Sequence, residues 1–293
     1  MTRPLRIEYP GAVYHVTSRG NARSDIFMDD RDREIFMDKL SKAVDRYGFI
    51  FHSYCLMDNH YHLLIETPNA NLSLGMQRIN GDYTQAFNRR HERSGHLFQG
   101  RFKAILVEKE KHLLELCRYI VLNPVRAGMA ENTRAWVWSS YRALAGFAAR
   151  PDFLTIDWVL SQFGGDSKQA IRRYRTFVRN GLKKKESPLS NVSGQIVLGG
   201  DDFIEGLKKR LEPKKTVKEY TRSQRLVAKK PLSELFPAPG SKEGNRAALA
   251  ERVWQAHAKH GYTLTAIANY LGVHCSTASR LAGLAREQQN DKA

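Results

Sequence analysis

The hydrophobic pattern of the first half of the chain switches repeatedly between a two-residue and a helical period. Ala12 to Ser18 is a β-favouring run and predicts a strand, with Arg19-Gly20-Asn21-Ala22-Arg23 as a basic loop beyond its end. Asp29 or Asp30 can cap a helix that carries Ile35, Phe36, Leu40, Ala43 and Val44 on one stripe and ends at Gly48. Phe49 to Met57 and His60 to Thr67 predict two strands, joined by a tight hairpin at Asp58-Asn59. A second helix opens at Asn71-Leu72-Ser73, carries Met76, Ile79, Tyr83 and Phe87, and closes in the charged run from Asn88 to Arg93. Gly95 to Gly100 is a glycine-bracketed loop, and Arg101 to Val107 is a fourth strand on which Arg101 and Lys103 share a face. Leu113, Leu114, Leu116, Ile120 and Val121 recur at helical spacing, which predicts a third helix that stops near Pro124. Strands and helices in this order, with a hairpin among them, predict an α+β fold with an antiparallel-rich sheet rather than a doubly wound parallel one.

The pattern divides the chain into 1–150, a basic linker with short helices over 151–244, and a small all-α domain over 245–293. Residues 172–230 hold seventeen Lys and Arg against six Asp and Glu, with breakers at Gly181, Pro188, Gly194, Gly199, Gly200 and Pro213. This is most of the net charge of +17 and reads as a solubilising tether or as a source of sequence-blind phosphate affinity. From Asn245 a helical unit returns: Ala247 to His260 ending at Gly261, a short helix capped by Thr263, a turn at Gly272-Val273, and a third helix from His274 to Ala285. The last two have helix-turn-helix spacing, with Ser276, Thr277 and Arg280 placed to reach DNA. A small interaction bundle is the alternative.

Composition narrows the class. A chain of 293 residues with 42% hydrophobic content can bury a core, and no apolar run is long enough to span a membrane. Without a signal-type N-terminus it is expected to be cytoplasmic, without membrane contact. Its positive charge favours nucleic acid over membrane. Cys55, Cys117 and Cys275 are widely spaced, which indicates neither a disulfide framework nor a thiolate metal site, and they read as reduced packing residues.

Candidate chemistry lies in two places. His60 and His62 at i, i+2 put both imidazoles on one face of a strand, while Tyr61 points the other way. Such a pair can clamp a divalent metal, and it also occurs on ordinary half-exposed strands. Tyr119 and Asn123 stack one turn apart on the third helix, a phenol beside a neutral oxygen donor. His15 and His52 are lone strand histidines that read as packing or surface residues, with His15 near the site only if its strand is central.

Asn59-His60-Tyr61-His62-Leu63-Leu64, Gly95-His96-Leu97-Phe98-Gln99-Gly100-Arg101-Phe102, Arg118-Tyr119-Ile120-Val121-Leu122-Asn123-Pro124-Val125-Arg126-Ala127-Gly128 and Trp138-Ser139-Ser140-Tyr141 together resemble the single-tyrosine transposases with a His-hydrophobe-His site. The branch resembled is the REP-associated tyrosine transposases, over residues 5 to about 145. One departure is Tyr61, where an aliphatic residue is common. The C-terminal stretch resembles the duplex-reading domain of bacterial replication initiators.

The resemblance implies a ferredoxin-like sheet and a metal-dependent single-stranded DNA nuclease and strand transferase. Tyr119 would be the nucleophile that forms a 5′-phosphotyrosine, with Mg²⁺ or Mn²⁺ held by His60, His62 and Asn123. Its partners would be single-stranded or hairpin DNA, and duplex DNA through the C-terminal domain, bound by a monomer or homodimer. Arg19, Arg23, Arg78, Arg89, Arg90, Arg101, Lys103, Arg118 and Arg126 are the expected contacts of the catalytic half. Two other functions remain open: a nickase for replication or plasmid transfer, and a non-catalytic two-domain DNA-binding regulator.

Overall fold

The computed structural model describes residues 7–164, 167–183, 187–194, 196–211, 231–236, 246–260 and 262–290. The chain divides between Gly200 and Asp201 into two compact units.

In the first unit, β1 (Ala12–Arg19), α1 (Asp30–Tyr47), β2 (Ile50–Leu56), β3 (His60–Thr67), α2 (Leu72–Arg90) and β4 (Lys103–Val107) follow one another, and α3 (Lys109–Arg126) comes after them. The sheet order is β2-β3-β1-β4-β5, where β5 is Val197–Leu198. The pairs among β1 to β4 are antiparallel, and β4 pairs with β5 in parallel. This is the expected ferredoxin-like arrangement, with β1 and β3 inside the sheet. The two ends of α1 show the local signals at work. Asp29 caps α1 by accepting from the Asp32 N–H at 3.0 Å, and Gly48 closes it in a left-handed conformation at φ 69°.

The sheet has two covered faces. Tyr14, Val16, Tyr61, Leu63 and Ile65 share one, against α1 and α2, where the Phe36 ring lies 4.9 Å from Tyr61 and 5.0 Å from Tyr83. Gly75 lets α2 come close there, since a Cβ on it would lie 2.2 Å from the Phe49 ring. On the other face Val13, Cys55, Leu64 and Val107 pack against Leu113, Leu116, Cys117, Ile120 and Val121 of α3. Period-two alternation therefore assigns His60 and His62 to the α3 side and Tyr61 to the α1/α2 side.

Three expectations change. After α4 (Tyr141–Leu144), the segment 151–200, read as linker, groups with the first unit: α5 (Asp157–Ser161), α6 (Ser167–Gly181) and β5 build onto it. Ala170, Tyr174 and Val178 form a buried stripe of α6 at four-residue spacing, and the cations on its other faces masked that stripe in the composition. The fourth strand begins at Lys103 rather than Arg101, because residues before it bridge to the end of β1 through Gly20 and Phe98. Cys275 is exposed, whereas Cys55 and Cys117 are buried.

The second unit holds α7 (Asp201–Leu211), α8 (Leu232–Leu235), α9 (Arg246–Trp254) continuing into a π turn at Gln255–Lys259, α10 (Leu264–Leu271) and α11 (Cys275–Asn290). Phe236, Ala250, Val253, Ala256, Ile267, Leu281 and Ala285 form its core. The Thr263 hydroxyl caps α10 by accepting from the Ala266 N–H at 3.1 Å, and Gly272 ends α10 at φ 65°. The rest of the expected linker, over 212–230 and 237–245, and the expected stop at Gly261 lie outside the described residues. No helix among the described residues is long and apolar enough to cross a membrane.

Candidate active site

His60 and His62 face α3 with ring centroids 5.0 Å apart. His60 Nδ1 lies 2.7 Å from Asn59 Oδ1, and the Asn59 amide is oriented by its own Nδ2 donating to the Arg23 carbonyl at 3.1 Å. An amide oxygen only accepts, so Nδ1 of His60 carries the proton and Nε2 keeps the lone pair. His62 Nδ1 lies 2.9 Å from His15 Nε2, with the two rings coplanar to 2°. His15 therefore joins the site, because β1 is the central strand between β3 and β4. Burial pushes His15 and His60 down to about 4 and His62 well below the usual imidazole value, the charge of Arg19 adding to burial at His60. All three imidazoles are neutral at pH 7, the form that can ligate a metal.

Tyr119 comes down onto this group from α3. Its half-buried ring meets His62 edge-on with centroids 6.1 Å apart and His15 edge-on at 6.3 Å. The Arg126 guanidinium lies 5.6 Å from the centre of the same ring. Asn123, one turn on, donates from Nδ2 to the carbonyls of Tyr119 at 3.0 Å and Ile120 at 3.3 Å. The Ile120 carbonyl would normally receive the N–H of residue 124, and Pro124 has none. Asn123 fills that gap, and α3 runs through Pro124 and ends at Arg126, near the expected stop. Asn123 Oδ1 has no protein donor among the described residues, which leaves it available to a ligand. Among the described residues no group of three or more His, Cys, Asp or Glu is arranged as a metal site.

Three other tyrosines of the first unit have their hydroxyls engaged elsewhere. Tyr61 is fully buried on the far face and donates its hydroxyl to Asn80 Oδ1 at 2.7 Å. Tyr14 and Tyr83 are buried, with hydroxyls on the carbonyls of Ile7 and Ile26, and burial raises both phenols above their usual range.

Residues 9–123 match the protein family described as "Transposase IS200 like". This part of the chain is similar to an IS200-like transposase domain. Its matched span holds His15, His60, His62, Tyr119 and Asn123. The chain is also 25% identical over 142 residues to a Haemophilus influenzae protein named "Putative REP-associated tyrosine transposase", which covers 45% of this chain and 80% of that protein. A solved structure of a REP-associated tyrosine transposase bound to a REP hairpin aligns with a TM-score of 0.45 at 19% identity, over 57% of this chain and 93% of that one.

The basic residues expected on DNA fall into different surroundings. Arg19 is opposite His60 and Lys103 opposite Thr17 in the strand registers, so both share the histidine face at one end of the sheet. Arg23, Arg89 and Arg101 are exposed. Arg78 pairs with Asp82 at 2.8 Å, and Arg90 pairs with Asp29 at 2.5 Å and Asp32 at 2.7 Å, which ties α2 to α1. Arg118 departs from the expectation. It is buried between Glu115 and the Phe177 ring, 4.2 Å from the ring centre, and packs α6 onto α3 instead of meeting solvent. Arg126 turns to the Tyr119 ring and donates to the Gly181 carbonyl at 3.2 Å. In the second unit Ser276 and Arg280 are exposed on α11 and Thr277 is half-buried.

Proposed function

We propose that the chain is a metal-dependent nuclease and strand transferase of single-stranded or hairpin DNA, acting in the cytoplasm through Tyr119. The observation that carries this reading is the convergence of Tyr119, from α3, on the imidazole pair of β3. A phenol, two neutral imidazoles and a free amide oxygen have little reason to meet in a half-open site unless they handle a phosphate and a cation together.

The donor set fits a divalent ion. His60 is held in the tautomer that presents Nε2, and Asn123 presents Oδ1. When bound, Mg²⁺ or Mn²⁺ would supply electrophilic polarisation of the scissile phosphate. Tyr119 Oη attacks phosphorus, the P–O3′ bond breaks, and the phenol's proton leaves as the 3′-oxygen gains one. The products are a 5′-phosphotyrosine and a free 3′-hydroxyl, whose attack on the same linkage reverses the step. Arg126 holds the phenol ring in place, and Arg19 and Lys103 offer phosphate contacts beside the histidines. The second unit fits a duplex reader: α10, the Gly272 turn and α11 present Ser276, Thr277 and Arg280.

The test is incubation of the full-length protein with a panel of single-stranded hairpins and Mn²⁺, followed by denaturing electrophoresis. A covalent protein–DNA adduct is expected, and it should disappear with chelator and in His60→Ala. Strand cleavage that persists in chelator without an adduct would sink the proposal.

A further inference from the structure

The first unit carries a cleft of about 410 Å³ outside the tyrosine site, between the C-terminal half of α6, the loop at residues 132–134, and Phe147. Its chemistry is unusual for a packing defect. The Arg134 and Arg175 guanidinium carbons lie 4.5 Å and 4.1 Å from the centre of one ring, Phe147, and Arg179 lines the same space. No carboxylate pairs with any of these three arginines among the described residues. Arg175 is held in place, since Nε and Nη2 both donate to the Ala145 carbonyl at 2.8 Å and 2.5 Å, and its other donors remain. Bringing two cations onto one ring without an acid costs Coulomb energy that an anion in the cleft would remove. The floor is apolar, with Leu122 and Val178, and Leu182 is about half exposed at the rim. Positive donors above an apolar floor suit a group that is charged on one side and flat or hydrocarbon on the other. The volume lies at the small end of ligand pockets, roughly 300–1,000 Å³.

We propose that this cleft is a second strand-binding site, in which Arg134, Arg175 and Arg179 grip a DNA phosphodiester while its sugar or base lies against Phe147 and Leu182. This rests on DNA being the partner and does not depend on Tyr119 being the nucleophile. The site gives α6 a role beyond packing: its buried stripe docks on α3 and its basic edge extends the DNA path away from the histidines.

The test uses full-length protein carrying Tyr119→Phe, which keeps the DNA intact whether or not the cleavage proposal holds. Binding of a labelled single strand is measured by anisotropy against salt for this parent, for added Arg134→Gln/Arg179→Gln, and for the charge-matched control Arg31→Gln/Arg46→Gln on α1. Both changed residues of the cleft pair are exposed, so the fold is kept. The cleft variant should bind more weakly, with a salt slope shallower by about 0.7–1.4, one or two phosphate contacts on a single strand. The control should match the parent. Equal slopes in parent and cleft variant would overturn the proposal, as would an equal loss in the control. A cleft that binds a deoxynucleoside monophosphate in a thermal-shift titration, with oligonucleotide binding unchanged by the variant, would also overturn it in favour of a free nucleotide.

Discussion

His15 and His62 are locked together: their rings lie parallel, and Nε2 of one is 2.9 Å from Nδ1 of the other. Only one proton lies between those nitrogens, so their tautomers are coupled. If His62 is to offer Nε2 to a metal, its Nδ1–H must donate to His15, which leaves the His15 proton on Nδ1. That atom is buried without a hydrogen-bond partner among the described residues. The fold therefore tolerates an unsatisfied polar atom behind the site, at a cost of about 1–3 kcal/mol. His15→Phe should fill the same space while releasing His62, and Mn²⁺ affinity read by EPR should fall roughly 10–100-fold, as for other partners behind metal ligands. Unchanged Mn²⁺ affinity in a folded His15→Phe protein would reduce His15 to packing.

The same burial makes stability depend on pH. His15 and His60 titrate near 4 in the fold against an ordinary 6.5, and burial lowers His62 as well. Between those values the unfolded chain takes up protons that the folded one refuses. The contribution is therefore fully present above 6.5 and is lost as pH falls toward 4. In chelator, the thermal midpoint should hold steady above pH 6.5 and drop below it, with a shallower drop in His15→Phe. A midpoint that stays level from 6.5 to 4.5, or the same drop in the variant, would contradict this.

The sequence made the histidine pair and the tyrosine legible, since each follows from one periodicity: two residues in β3 and a helical turn in α3. His15 was not legible in the same way. Its weight depends on β1 lying between β3 and β4, a pairing that local pattern does not encode. Arg118 misled for a related reason, because the Glu115 carboxylate and the Phe177 ring that bury it come together only when α6 docks. Asn123 carried two meanings at once. Its amide repairs the carbonyl orphaned by Pro124, so that the helix carries the proline inside its last turn.

Where the first unit ends has a direct consequence. A chain cut after residue 164 loses α6 and bares the surface that Tyr174 and Val178 cover, whereas one cut after Gly200 keeps that core. The longer fragment should cleave a bare hairpin at saturating protein as the whole chain does, and the shorter one should melt lower and bind poorly. Without the second unit the longer fragment should lose preference for duplex-flanked hairpins, because the tethered second contact is gone. The same flanked-to-bare ratio in fragment and full chain would remove DNA reading from α10 and α11 and leave them an interaction bundle.

In the proposed reaction Tyr119 becomes joined to a 5′-phosphate. Trypsin cleaves after Arg118 and Arg126, so Tyr119 to Arg126 is released as a peptide with one tyrosine. Full-length protein incubated with a single-stranded hairpin and Mn²⁺, then digested with nuclease and trypsin, should give this peptide with a nucleotide mass added, by mass spectrometry. The addition should be absent in chelator and in Tyr119→Phe. An adduct mapped to a peptide carrying Tyr61, Tyr14 or Tyr83, or cleavage by Tyr119→Phe at the wild-type rate, would contradict the account.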